Sequence, residues 1–589
     1  MTEIMPFPEN NILFYWAAPQ GGVFYDLSGI DFGPVSRYDT HRTSTFYEVF
    51  PMNKNFKWWQ KAVIYQIYPR SFCDSNGDGI GDIPGITSKL DYVKSLGVDA
   101  IWLSPVFKSP QDDNGYDISD YQDIEPMFGS LDDMRHLMAE AAKRGLKIIV
   151  DMVLNHTSDE HPWFIEARSS RDNPKHDWYV WRDGTPDCPP NAMHSVFGGS
   201  AWEYVPELGQ YYLHQYSVKQ PDLNWDNPEV RHALYDMMNW WADNGAGGFR
   251  LDVIDSVAKE PDRMITAEGT NLHKYIKEMS AAVLQGRDLV TVGECWSATP
   301  ETAKLWSNPD GSELSMVFQF QHIVLGQKNG IKWDCGALPM GELKQVLRTW
   351  QTQLNGCGWN SLFWENHDLP RIVSKWGNDG QYREKSAQML ATILFGLQGT
   401  PYVYQGQELA MTNTDYPLED YRDIEIRNMA AERLAMGYSR EQVEASIHAV
   451  GRDNARTPMQ WNAGENAGFT TGNPWIRVNP NYTHINVEAQ EQDPNSVLNY
   501  YRYLIGLRKR EDVILDGDYQ ELLPEREDIF AYTRNNGSRK LTVIANFTGE
   551  AVPFSQEILE NSGEPEIGNY PDWPGGGRLR PYEAIMYLK

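Results

Sequence analysis

From about residue 56 onward, short apolar runs alternate with segments whose apolar residues recur every three to four positions. Runs of five to nine residues rich in Val, Ile, Tyr and Phe, bounded by Gly, Pro, Asp or Asn, read as buried strands. Segments with the 3.6-residue period read as amphipathic helices. Eight strand-like runs follow one another: 62–69 (AVIYQIYP), 100–106 (AIWLSPV), 147–153 (KIIVDMV), 247–253 (GGFRLDV), 290–295 (VTVGEC), 316–320 (MVFQF), 360–367 (NSLFWENH) and 400–408 (TPYVYQGQE). Helix signals fill the gaps. Ser130 opens SLDD as a capping box and Gly145 closes that run, while Asn227-Pro228 opens a helix with Val230, Leu234, Met237 and Trp241 on one face and Gly245 at its end. Eight strands each followed by helical sequence predict an α/β fold, the (β/α)8 barrel. The competing doubly wound sheet calls for a GxGxxG turn after its first strand, and none is present.

Two stretches break the barrel pattern. Residues 157–226, rich in Trp, Pro, Asp and Gly, are far too long for a loop and read as a small domain inserted after the third strand. After residue 516 the period becomes two, with Asn536-Gly537 as a hairpin turn between IFAYTR and KLTVIANF, which predicts a C-terminal antiparallel β-sandwich. The barrel is thus expected over 52–156 and 227–516, the insert over 157–226 and the β domain over 517–589. Residues 1–51 mix aromatic and polar positions without either period, and Met52 is a candidate natural start; we expect a flexible or misassigned leader there.

Charge narrows the partners. Lys and Arg number 52 against 81 Asp and Glu, a net charge of −29, and a field of that sign repels phosphate backbones and anionic lipid. Neither nucleic acid nor membrane is an expected partner. No run approaches the ~20 apolar residues of a membrane span, and no basic and apolar leader opens the chain. The five cysteines (Cys73, Cys188, Cys295, Cys335, Cys357) are odd in number and lack metal-ligand spacing. The expectation is a cytoplasmic, monomeric protein.

In such barrels the chemistry gathers at the C-terminal ends of the strands. Here the third run ends in Asp151-Met-Val-Leu-Asn155-His156, the fourth in Arg250-Leu-Asp252, the fifth in Glu294 and the seventh in Glu365-Asn366-His367-Asp368. Any one of these could be a satisfied buried polar group. Their convergence on one face argues for use, since buried charges cost several kcal/mol unless paired or employed. Neither HExxH nor GxSxG occurs, and paired carboxylates are the machinery of glycoside cleavage.

The segments DMVLNH, GFRLD, GEC and ENHD resemble, in order and spacing, the four conserved blocks of the α-amylase family of glycoside hydrolases (family 13), over residues 56–589. QPDLNW at 220–225 looks like its oligo-1,6-glucosidase branch, and GECWSAT is similar to the corresponding stretch of glucan 1,6-α-glucosidases (dextran glucosidases), although Cys295 and Ser297 depart from it. The resemblance implies a retaining exo-enzyme cutting α-1,6-glucosidic bonds of isomalto-oligosaccharides and dextran-type α-glucans. Oligo-1,6-glucosidase, α-1,4-glucosidase and trehalose-6-phosphate hydrolase remain open as alternatives. A non-catalytic transporter heavy chain is disfavoured by the intact carboxylates.

By position, the resemblance makes Asp252 the nucleophile, Glu294 the acid/base and Asp368 the third carboxylate. Arg250 would keep Asp252 ionised, and His156 and His367 would donate to hydroxyls of the same glucose. Tyr116 would stack on that ring, and Asp117 with Arg452 would grip its 4-hydroxyl, closing the pocket. Lys332 and Glu425 resemble contacts to the next sugar. Val253, placed by strand alternation beside the leaving group, matches a linkage switch in which valine accompanies α-1,6 and threonine α-1,4 specificity. A separate loop, Asp74-x-Asn76-x-Asp78-Gly79-Ile80-x-Asp82, has the alternating oxygen ligands that wrap a hard cation. Gly85 stands where an EF-hand carries glutamate. Relatives in the branch imply one structural Ca2+ there and no organic cofactor.

Overall fold

The computed structural model describes residues 56–572 and 577–589; the leader expected at 1–51 lies outside them. Each predicted run contains a strand: β1 Ile64–Ile67, β2 Ala100–Leu103, β3 Lys147–Val153, β4 Gly248–Asp252, β5 Val290–Glu294, β6 Met316–Phe318, β7 Ser361–Leu362 and β8 Thr400–Tyr404. All pair in parallel in the order β6-β5-β4-β3-β2-β1-β8-β7, and a parallel bridge between Val317 and Asn360 joins the ends. The result is a (β/α)8 barrel. Its strands are buried on both faces, inward by Ile64, Trp102, Ile149, Val292, Phe318 and Tyr402, outward by Val63, Ile101, Val150 and Leu251 against the helices. That is why the runs read as continuously apolar rather than alternating.

The flanking helices start and stop where their caps dictate. Leu131–Lys143 has the Ser130/Asp133 capping box, and Gly145 takes φ 66° just beyond its end. Pro228–Asp243 is capped by Asn227, buries Val230, Leu234, Met237 and Trp241, and is followed by Gly245 at φ 106°. Such positive φ is nearly strain-free only for glycine.

Between β3 and β4 the chain forms the helix Pro162–Ser169 and a three-stranded antiparallel sheet, Trp181–Asp183 beside Gln210–Leu213 beside Trp202–Val205, with a core of its own around Trp202, Tyr211 and Leu213. A second excursion, which the sequence pattern left unmarked, follows β8. The helices Ile424–Ala435 and Arg440–Val450 enclose Tyr416, Ile426, Val443 and Ile447 as a separate cluster.

At the C-terminus, Asp518–Leu522, Ile529–Asn535, Lys540–Asn546, Ala584–Leu588 and Glu564–Gly568 form a five-stranded antiparallel sheet in that order. Period-two alternation sends Phe530, Tyr532 and Val543 toward the barrel, where the Tyr532 hydroxyl donates to Ile393 C=O at 2.7 Å. It sends Ile529, Ala531 and Ile544 to the other face, under the short pair Val552–Pro553 and Arg578–Leu579. The hairpin turn differs by one residue from expectation. Asn536 N–H donates to Arg539 C=O, which puts Gly537 (φ 84°) and Ser538 at the centre.

Among the described residues no helix is long and apolar enough to cross a membrane. All five cysteines are free.

Candidate active site

Two arginine-centred clusters occupy the C-terminal end of the barrel. The first hangs on Arg250. Its Nη1 donates to Asp252 Oδ1 at 2.6 Å and to Asp151 Oδ1 at 2.8 Å, and its Nη2 donates to Glu294 Oε2. Asp151 also accepts from Trp102 Nε1 at 3.0 Å and from the Tyr116 hydroxyl at 3.1 Å. One guanidinium therefore faces three carboxyls. Burial, together with Glu294 and Asp151, pushes Asp252 well above the usual carboxylate range despite Arg250. Arg250, expected to keep Asp252 ionised, does hold it, but shares its charge with Asp151 and Glu294.

The second cluster hangs on Arg452 and Arg456, both from the excursion after β8. Arg456 Nη2 donates to Asp368 Oδ1 at 2.6 Å, and Arg452 Nη1 lies 3.4 Å from the same oxygen. Arg452 also holds buried Asp423 through Nε at 2.9 Å and Nη2 at 2.5 Å. Burial works upward on Asp368, but His367, Arg452 and Arg456 hold it well below the carboxylate range. The same balance, with Arg452 and Arg456 as the cations, brings Asp423 down to about 2.

His367 joins the clusters. Its Nδ1 accepts from Gln66 Nε2 at 2.9 Å, which leaves the proton on Nε2, 2.7 Å from the Tyr116 hydroxyl and 3.0 Å from Asp368 Oδ2. Tyr116 lies flat on this imidazole, with ring centroids 5.4 Å apart and planes at 10°. His156 sits where β3 meets the inserted domain, near Gln220 and Tyr116 C=O, and burial lowers it to about 4, so it is neutral at pH 7.

The structure corrects two assignments. Asp117 does not reach Arg452. It is fully buried, and its carboxylate accepts from Ser109 Oγ at 3.0 Å, Asp112 N–H at 2.8 Å and Asp113 N–H at 3.1 Å, so it closes its own loop. The carboxylate that faces Arg452 is Asp113, 3.5 Å from Nη2, and burial pushes it up to about 7 against Arg452 and Arg456. Val253 is not a strand residue either. β4 ends at Asp252, and Val253 adopts φ 36°, ψ 43°, a left-handed conformation that is rare for a β-branched side chain and places its N–H 3.3 Å from Glu294 Oε2.

Other members of the site carried little sequence signal. Trp296, 47% exposed, stacks on Phe320 at 3.9 Å and donates from Nε1 to Glu294 Oε1 at 3.0 Å. Lys332, on the hairpin strand Ile331–Cys335, pairs with Glu425 at 2.6 Å, and Glu425 lies 3.4 Å from Arg452 Nε. Arg456 shares the GRDNAR stretch with Arg452, and the four-residue spacing was the available clue; Asp423 had none.

The loop 74–82 follows β1 away from this cluster. Asp74 accepts from Asn76, Gly77 and Gly79 N–H at 2.8–2.9 Å and from Thr470 Oγ1, while Asn76 and Asp78 accept from the N–H two residues on. A Cβ on Gly79 would come within 1.7 Å of Asn473 C=O, and φ there is 91°, so glycine is required. Asp82 caps the helix Ile83–Ser88 and accepts from Ser75. With Asp82 so committed, no three His, Cys, Asp or Glu side chains gather as a metal-holding group among the described residues. Carboxylates, an amide and the Ile80 carbonyl nevertheless make an all-oxygen donor set, the chemistry that suits a hard cation.

Comparison with known proteins agrees with this geometry. A family model described as the alpha amylase catalytic domain matches residues 66–517. The oligo-1,6-glucosidase of Parageobacillus thermoglucosidasius is 51% identical over 553 residues, covering 90% of this chain and 98% of that protein. The glucan 1,6-alpha-glucosidase of Streptococcus pneumoniae is 52% identical over 521 residues, covering 87% and 96%. Among solved structures, trehalose-6-phosphate hydrolase of Bacillus licheniformis superposes with a TM-score of 0.88 at 47% identity, covering 90% of this chain and all of that one.

Proposed function

The chain belongs to the α-amylase family of glycoside hydrolases, and from that premise we propose that it is a retaining exo-α-glucosidase that removes glucose from the non-reducing end of α-1,6-linked oligosaccharides. The observation that carries the reading is Arg250 holding Asp252 on one nitrogen and Glu294 on the other, at the ends of adjacent strands. Two carboxyls so placed can act on one bond in sequence. Asp252 attacks the anomeric carbon while Glu294 gives its proton to the glycosidic oxygen, and the carbon–oxygen bond breaks. Glu294 then takes a proton from water, which displaces Asp252 and restores the α configuration. Asp252 must be ionised to attack. Arg250 Nη1, 2.6 Å from Asp252 Oδ1, is the cation that favours that form.

Exo-action is supported by the wall at Arg452, where Asp113, Asp368 and Asp423 converge and a chain end would be read. We assign the 4-hydroxyl grip to Asp113 with Arg452. Trp296 and the Lys332–Glu425 pair lie on the other side of Glu294 and beside Arg452, as contacts for the next sugar. The names of the relatives support α-1,6 linkage, with glucan 1,6-α-glucosidase and oligo-1,6-glucosidase differing in chain-length preference. Rates on isomaltose, longer isomalto-oligosaccharides, maltose and trehalose 6-phosphate test it. We expect the first two to be cleaved fastest, with α-glucose released first. β-Glucose as the first product, or preference for trehalose 6-phosphate, would overturn the proposal.

We also propose that Asp74, Asn76, Asp78, the Ile80 carbonyl and Asp82 hold one Ca2+, which would tie the loop after β1 to residues 469–475. Native-state binding of this kind raises the melting temperature by mass action, so EDTA should lower it by about 2–5 °C while leaving kcat nearly unchanged. An unaltered melt with no metal by elemental analysis would remove the ion.

A further inference from the structure

One buried aspartate lies between the two loops that carry Asp252 and Glu294, and the steps above do not use it. Asp255, 2% exposed, stands in the single turn Ile254–Ser256 immediately after Val253. Its Oδ2 accepts from Ser297 N–H at 3.0 Å and from Ser297 Oγ at 2.6 Å. Ser297 follows Trp296 directly, in the segment that leaves β5 at Glu294. A single carboxylate oxygen thus ties the nucleophile's loop to the acid's loop.

The surroundings are acidic. From the segment before the helix Leu272–Met279, Glu268 Oε1 lies 3.4 Å from Ser297 Oγ and accepts from Trp306 Nε1 at 3.2 Å. Behind it, His273 stands 3.7 Å from Glu268 and 2.8 Å from buried Glu313, with Lys277 3.8 Å from Glu313. The charged groups nearest Asp255 are therefore Glu294 and Glu268; among the described residues no Lys, Arg or His pairs with it. Burial and these two glutamates push Asp255 up to about 6 against the Ser297 bonds.

We propose that Asp255 is a positioning residue that fastens the Glu294–Trp296–Ser297 segment to the nucleophile's loop and so fixes where Glu294 meets the glycosidic oxygen. This rests on the acid/base role given to Glu294 above. The physical reason is geometric: two hydrogen bonds from Ser297 to one buried carboxylate oxygen fix the distance between the two loops.

Three variants separate geometry from charge. Asp255→Asn keeps an acceptor oxygen and removes the charge, Asp255→Ala removes both, and Ser297→Ala keeps only the backbone bond. For Asp255→Asn, which keeps an acceptor for Ser297, we expect a near-normal melting temperature and a kcat within about threefold of wild type. Asp255→Ala should lower kcat on isomaltose by about tenfold or more with little change in KM, since small misplacements of the acid are felt strongly in the rate. Its loss should be smaller on 4-nitrophenyl α-glucoside, whose leaving group needs little protonation. Ser297→Ala should fall between wild type and Asp255→Ala.

An unchanged kcat on isomaltose in Asp255→Ala, or a loss of equal size on both substrates, overturns the proposal. If the wild-type enzyme leaves isomaltose uncut, the α-1,6 reading fails instead; the loss in Asp255→Ala is then required to be larger on maltose than on the aryl glucoside.

Discussion

The two arginine-centred clusters at the barrel mouth are built from the same groups, yet Asp252 in one is pushed the opposite way from Asp368 and Asp423 in the other. At Arg250 one guanidinium serves Asp151, Asp252 and Glu294, and Asp252 rises well above the ordinary range. At Arg452 and Arg456 two guanidiniums serve mainly Asp368 and Asp423, which fall well below it and to about 2. Burial acts upward on all of them, so the sign follows how closely cations hold each carboxyl: Asp113, 3.5 Å from Arg452, still rises to about 7. A carboxyl short of cation can exchange a proton and react. One held at close range by guanidiniums, as Asp368 and Asp423 are, stays ionised.

The sharpest break is Asp252→Asn, for which kcat should fall by about 10^4-fold or more with folding intact. The same variant should melt higher at pH 7, because it removes an anion that the fold penalises. That gain exists above the unfolded pKa near 3.9 and should vanish as pH falls through it. Melts at pH 7 and pH 3.5 check the sign.

Second in size is the contrast between Asp113 and Asp117. Asp113→Ala should reduce kcat/KM on isomaltose by about 100-fold, the loss of a buried charged hydrogen bond to substrate. Asp117→Ala strands three donors and should act mainly on stability, by about 2–3 kcal/mol, seen as a lower denaturant midpoint. Comparable stability with lost activity in Asp117→Ala would return the grip to that residue.

Asp423→Asn tests the low-pKa side. Its loss of stability should be on the order of 2 kcal/mol at pH 7 and should fade as pH drops from about 4 toward 2, where the wild-type carboxylate also protonates. The smallest effect belongs to Val253→Thr, which leaves both clusters' charges alone. Activity on maltose relative to isomaltose should rise by about tenfold, within the 1–3 kcal/mol one contact can supply. An unchanged ratio would remove Val253 from linkage choice.

Where apolar runs alone decide the structure, the sequence was legible. β1 to β8 fall inside their runs because strands buried on both faces need uninterrupted apolar residues, and the end of each run marks the polar rim. Asp252, Glu294 and Asp368 were found that way. The linear pattern could not say which aspartate of Asp112, Asp113 and Asp117 faces the pocket, since that is set by a tight loop in which Asp117 takes up the backbone donors. It could not show Asp423 either, because its partners come from 29 and 33 positions downstream, in an excursion with an apolar cluster of its own. Val253 escaped because the strand ends one residue earlier than its composition suggests.

The closing of the barrel has a consequence for how the chain is made. β1 pairs with β8 on one side, and Tyr68 N–H donates to the Gln405 side chain 337 residues later. At about 5–20 residues per second on the ribosome, the first strand waits roughly 15 to 70 s for that neighbour. For that interval it has an unpaired, apolar edge that any other strand could join. Synthesis in crowded conditions should therefore reward a holding chaperone during the first part of translation, long before any sugar could be bound.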